Sequence, residues 1–135
     1  MEIQIIFQLL LATLLGALIG FEREWKKKGA GLQTYSLVTL GSCLFTLIAF
    51  QFFVSFSGQD ISFDPSRVIQ AVATGIGFIG AGVIFFRGDK IEGLTTAAGL
   101  WAAAAIGVAI GANFYFLAVV STFLAILILF FIWKL

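Results

Sequence analysis

Five apolar runs, each of membrane-span length, fill most of this 135-residue chain. No other feature limits its fold so strongly. They cover residues 3–21, 34–56, 66–86, 94–111 and 114–133. A helix needs about 20 mostly apolar residues to cross a bilayer, and the regular apolar–polar alternation of a membrane β-barrel is absent. Composition closes off the alternatives. Apolar residues make up 61% of the chain and charged residues 11%, against about 25% charged in a soluble domain. The mean hydropathy is +1.09. A soluble domain this short would leave about a third of its unfolded surface in water, with too little polar surface to cover it. The expectation is an all-α polytopic membrane protein: a single transmembrane domain over residues 1–135, a compact bundle of five helices in the lipid bilayer. A net charge of +1 gives no field to hold nucleic acid. With no His and one cysteine, Cys43, the usual N/S metal site is disfavoured and an intrachain disulfide is excluded.

The loops set an orientation. Arg23, Lys26, Lys27 and Lys28 follow the first run, Arg87 and Lys90 follow the third, and Lys134 follows the fifth. The second loop carries Asp60 and Asp64 without a cation. Five spans place every basic loop on one side, so the positive-inside rule puts the N-terminus outside and the C-terminus in the cytoplasm. Trp25, Tyr35 and Trp133 would mark the inner interface and Tyr115 the outer one, as an aromatic belt does. The first run lacks the basic start and cleavage site of a signal peptide and reads as a retained span.

Small residues carry the packing pattern. Ala12, Gly16 and Gly20 recur at four-residue steps in the first run, Ala73, Gly77 and Ala81 in the third, and Gly99, Ala103, Gly107 and Gly111 in the fourth. Such stripes let helix backbones approach closely in lipid, which places helices one, three and four at the centre and the bulky fifth toward lipid. Gly75, Gly77, Gly80 and Gly82 fall within eight residues. Their G-x-G-x-x-G string lacks the strand and acidic partner of a dinucleotide site. It reads as close packing, with a hinge or unwound segment, as in transporters, as the other reading.

Ionisable residues near the spans are few. Glu22, Arg23 and Glu24 end the first span, either as an interfacial ion pair or as a functional carboxylate set. Asp64 and Pro65 form a helix start. Arg67, in the first turn, opposes the helix dipole and calls for a partner such as Asp64 or an interior carbonyl. Thr95 and Thr96 open the fourth span, where either caps it or, with Gln70 and Thr74, lines a polar path. No nucleophile–base set is visible, so an enzyme is not expected.

Taken in order, several of these pieces resemble the MgtC/SapB family of bacterial membrane proteins. They are the run from Gly16 to Glu24, Gly31-Leu32-Gln33-Thr34, Asp64-Pro65-Ser66-Arg67, the run from Gly75 to Gly82, and Gly93-Leu94-Thr95-Thr96-Ala97-Ala98. The resemblance implies a multi-pass protein of the bacterial inner membrane linked to magnesium limitation and to survival inside host cells. It also implies a regulator of membrane energetics, with the F-type ATP synthase as a partner proposed for virulence members. Those members carry a soluble C-terminal domain, so this chain is expected to be a short form without it. Gln33 stands where the family usually has Arg.

The resulting expectation is a non-enzymatic membrane regulator without a cofactor, forming a homo-oligomer such as a dimer. The alternative is a small oligomeric transporter or channel for Mg²⁺ or another ion. It would need rings of Glu22 or Asp64 or carbonyls freed at the third-span glycines, because Mg²⁺ demands near-octahedral oxygen ligands.

Overall fold

The structure is a computed structural model and describes residues 1–132. Its helices are α1 (Glu2–Trp25), α2 (Leu32–Ser55), α3 (Pro65–Gly82), α4 (Leu94–Gly111) and α5 (Tyr115–Phe131). A two-stranded hairpin, β1 (Phe85–Arg87) with β2 (Lys90–Glu92), joins α3 to α4. Among the described residues, α1, α2 and α4 are long and apolar enough to cross a membrane, and α5 is a shorter apolar helix. At about 1.5 Å per residue, the 24 residues of α1 and of α2 span more than the roughly 30 Å of hydrocarbon. The outward faces are apolar: Leu10, Phe45, Phe78, Phe116 and Phe123 are all exposed. This is the surface of a membrane protein.

The centre is α1, α2 and α4, not α1, α3 and α4. Ala12, Leu15 and Ile19 of α1 meet Tyr35, Val38 and Cys43 of α2 and Leu100, Ala103, Ala104, Ile106 and Ile110 of α4 in one buried cluster. The face that α2 contributes is built from hydroxyls rather than glycines, and a Gly/Ala stripe does not show it. Thr39, Ser42 and Thr46 each donate to the carbonyl four residues back, at 3.1, 2.8 and 2.8 Å. With their polar atoms satisfied in this way, they pack as small residues. Close approach follows. A Cβ on Gly20 would lie 2.7 Å from the carbonyl oxygen of Gly31, and one on Gly111 would lie 2.9 Å from that of Cys43.

α3 departs from the expected bundle. Only Ile76 and Gly80 of this helix are buried, and Gly80 meets Ala97 of α4. A cavity of about 840 Å³ separates α3 from α2, lined by Leu37, Gly41, Phe45, Val72 and Ile76 among others. The helix runs unbroken through Gly75, Gly77 and Gly80 to Gly82. The expected third span therefore ends early. Phe85 and Phe86 extend the apolar run in composition but pair across the hairpin with Glu92 and Ile91. Gly88 opens the hairpin turn at φ 64°, and Gly93 closes the segment at φ 86°. A Cβ on Gly93 would collide with the carbonyl oxygen of Val83, so this junction requires glycine for both conformation and space.

Two helix ends close with the paired hydrogen bonds of a Schellman motif. At α4, Asn113 N donates to Ile110 O at 3.1 Å and Phe114 N to Ala109 O at 2.8 Å, with Asn113 at φ 68°. At α1, Lys27 N donates to Glu24 O and Lys28 N to Arg23 O, both at 3.0 Å, with Lys27 at φ 54°. Asparagine suits that position, whereas lysine carries the Cβ penalty of the left-handed region.

Candidate functional site

One end of the bundle gathers the charges. The last turn of α1 brings Glu22 and Arg23 into the interior, where both are buried. Arg23 Nη2 donates to Thr96 Oγ1 at 3.1 Å, and Arg23 Nη1 lies 3.8 Å from Glu22 Oε2. The other Glu22 oxygen faces Lys26 Nζ at 2.6 Å, one helical turn on. Lys26 Nζ also donates to the carbonyl of Leu129 at 2.5 Å and lies 5.3 Å from the Phe130 ring centroid. The Tyr35 hydroxyl donates to the Thr96 carbonyl at 3.1 Å. A single carboxylate is thus flanked by two cations, and α1, α2, α4 and α5 are tied together at this end. Both Glu22 oxygens and Arg23 Nε lack a hydrogen-bond partner of good geometry among the described residues. The contacts to Glu22 are therefore ionic rather than aligned hydrogen bonds.

Beside this cluster lies a cavity of about 610 Å³ bounded by the α1–α2 turn, the hairpin and the start of α4. Arg23, Lys27, Lys28 and Arg87 line it with the single carboxylate Glu92, which sits 3.6 Å from Arg87. Thr95 and Thr96 also line it; Thr95 is exposed and Thr96 is buried. Glu24 is exposed and lies against Gly31.

The start of α3 carries a separate set. Asp64 caps this helix, accepting from Ser66 N at 3.0 Å and Ser66 Oγ at 2.6 Å. Those bonds, the side-chain one foremost, and then the Arg67 guanidinium, hold its carboxyl below the ordinary carboxylate range. Arg67 Nε is 3.9 Å from Asp64 Oδ2 with both side chains exposed, a geometry that contributes little. Gln70 and Thr74 are exposed on α3 and line neither cavity, so they do not share one path with Thr95 and Thr96. Among the described residues, no three of His, Cys, Asp and Glu converge as metal ligands.

The glycines divide by setting. Gly16 and Gly20 of α1 receive α2, and Gly99, Gly107 and Gly111 of α4 receive Tyr35, Thr39 and Thr46 of α2. Gly75, Gly77 and Gly82 face open space. Tyr35 is not a belt residue: it is fully buried, because its hydroxyl finds a carbonyl inside the bundle. Trp133 and Lys134 lie outside the described residues.

Sequence reasoning passed over Gln8. This buried amide donates to Ile110 O at 2.8 Å, Gly111 O at 3.3 Å and Asn113 Oδ1 at 3.0 Å, tying α1 to the C-terminal turn of α4. The signal was present, as two amides, Gln4 and Gln8, one helical turn apart in an apolar span. Lys27 was readable as a cation but not as a left-handed residue.

Residues 9–135 match the MgtC family. The chain belongs to the MgtC family. It is 42% identical over 130 residues to the Escherichia coli K12 protein named "Putative magnesium transporter YhiD", covering 96% of this chain and 60% of that protein. It is 43% identical over 113 residues to Protein SapB of Bacillus subtilis, covering 82% of this chain and 49% of SapB. It is 46% identical over 111 residues to Protein MgtC of Brucella abortus, covering 82% and 44%. This MgtC-family chain thus spans about half the length of the curated relatives it matches. No solved structure matches it.

Proposed function

We propose that this chain is a non-enzymatic regulator in the bacterial inner membrane, active under magnesium limitation through contact with another membrane protein. In this reading all five helices cross, with the basic end in the cytoplasm. The observation that carries it is the free face of α3. Arg67, Gln70, Thr74, Gly77 and Ala81 follow at alternating steps of three and four residues, and all are exposed. That spacing keeps one helix seam toward one partner. An amide and a hydroxyl turned toward hydrocarbon are costly, whereas a neighbouring helix pairs them and nests against Gly77 and Ala81. The family resemblance supplies a first candidate partner, the F-type ATP synthase.

Magnesium transport is the second reading, favoured by the name of the Escherichia coli relative. The basic cavity weighs against it, because a dication passing there meets Arg23, Lys27, Lys28 and Arg87. The test joins cross-linking in magnesium-starved membranes with Mg²⁺ and H⁺ flux in liposomes. The regulator reading expects wild type to capture a membrane protein and to restore growth of a deletion strain. The double variant Gly77→Leu, Ala81→Leu should lose both at equal insertion, with no flux from either protein. Saturable Mg²⁺ flux lost on Glu22→Gln would replace regulation with transport.

A further inference from the structure

We propose that the basic cavity is a binding site for a phosphate group, carried by an anionic lipid headgroup or by a soluble phosphate compound. The site is assembled from three parts of the chain. Arg23 comes from the last turn of α1, Lys27 and Lys28 from the turn that follows, and Arg87 from β1. The N-terminus of α4 completes it, since Gly93, Leu94, Thr95 and Thr96 line the same cavity. No side chain caps that helix, so its first-turn N–H groups have no intrahelical acceptor and carry the positive end of the dipole. A helix start alone would say little. Arg23 adds an independent observation. It lines the cavity, is 3% exposed, and its Nε has no partner. A buried guanidinium on the cavity wall, anchored through Nη2 by Thr96 and with part of its donor capacity unused, is suited to an anion with several acceptor oxygens.

The charges around it are accounted for. Glu92 is the one carboxylate in the lining and is engaged by Arg87 at 3.6 Å. Glu22 stands behind Arg23 and is shared with Lys26. The cavity therefore presents an excess of cation, and its volume of about 610 Å³ admits a phosphate with part of its substituent. The position of the site at the charged end of an apolar bundle makes lipid headgroups and soluble phosphates equally accessible in chemistry.

The full chain in nanodiscs tests this with two probes. One arm titrates inorganic phosphate into phosphatidylcholine discs, at constant ionic strength set with chloride. The other replaces phosphatidylcholine with phosphatidylglycerol and follows its binding by native mass spectrometry. The expected result is saturable binding in at least one arm: the first identifies a soluble phosphate, the second alone a headgroup. Arg87→Gln, on an exposed strand, should weaken that binding about tenfold, whereas Lys90→Gln, outside the lining, should leave it within about twofold. Circular dichroism of both variants checks that the fold persists. Lack of saturation in both arms overturns the proposal. So does equal weakening by Arg87→Gln and Lys90→Gln, which would mark a diffuse basic surface.

Discussion

Glu22 shows how much one side chain can decide. Its carboxylate is buried between Arg23 and Lys26, and Lys26 passes the link on to the Leu129 carbonyl at the end of α5. Removing one member of a buried ion pair leaves the others desolvated and poorly compensated, typically at a cost of about 3 kcal/mol. Glu22→Gln keeps the volume and removes the charge, so its effect isolates the electrostatics. The expected outcome is a loss of that order in reversible unfolding from mixed micelles, larger than for Asp64→Asn, whose side chain is exposed. Equal losses for the two variants would show that water reaches Glu22. Lys27 makes the complementary point, since its left-handed backbone costs about 1–2 kcal/mol relative to glycine. The α1 turn tolerates that strain and in return places a cation on the wall of the basic cavity.

At the scale of helices, one residue type plays two opposite parts. Gly107 lies so close to α2 that a Cβ would meet the Thr39 carbonyl and come within 2.7 Å of Ser42 Cβ. Gly75 has open space around it. Gly107→Ala should therefore overpack the α2–α4 contact and destabilise by about 1–3 kcal/mol. Gly75→Ala should be neutral or stabilising by up to about 1 kcal/mol through helix propensity. Unfolding of both variants in the same detergent checks the contrast, and equal effects would contradict the packing described. The stripes at Gly16 and Gly20 and from Gly99 to Gly111 were legible because glycine at four-residue steps has few other uses in lipid. The position of α2 was not, because Thr39, Ser42 and Thr46 become small, satisfied residues only once their hydroxyls turn back to the helix. Nor was the looseness of α3: its sequence shows the same stripe as α4 and cannot say whether a neighbour lies within the chain. In the site, the Glu22–Arg23 cluster was readable from charge at a span end. Its joining to Thr96, 73 residues away, needed the fold.

For the molecule as a whole, the question is how many times it crosses the bilayer, and α3 decides it. This helix is not among the three that are long and apolar enough by themselves, yet Asp60 precedes it and Lys90 follows it in the chain. If α3 crosses, the two positions lie on opposite sides. If it lies along the surface, they share one. The basic residues help to fix the answer. Arg23, Lys27, Lys28 and Arg87 meet around one cavity, so the α1–α2 turn and the hairpin belong to the same end. The positive-inside rule draws that end to the cytoplasm. Cysteine labelling reads this out directly, because the native Cys43 is fully buried and gives little background. Lys90→Cys should react with a membrane-impermeant maleimide only in inverted vesicles, and Asp60→Cys only in intact spheroplasts. Both positions are exposed, so a missing label reports sidedness rather than burial. Labelling of both from the same side would remove α3 from the spans. The polar face formed by Gln70 and Thr74 would then lie in the interface, where water satisfies it and no partner helix is required.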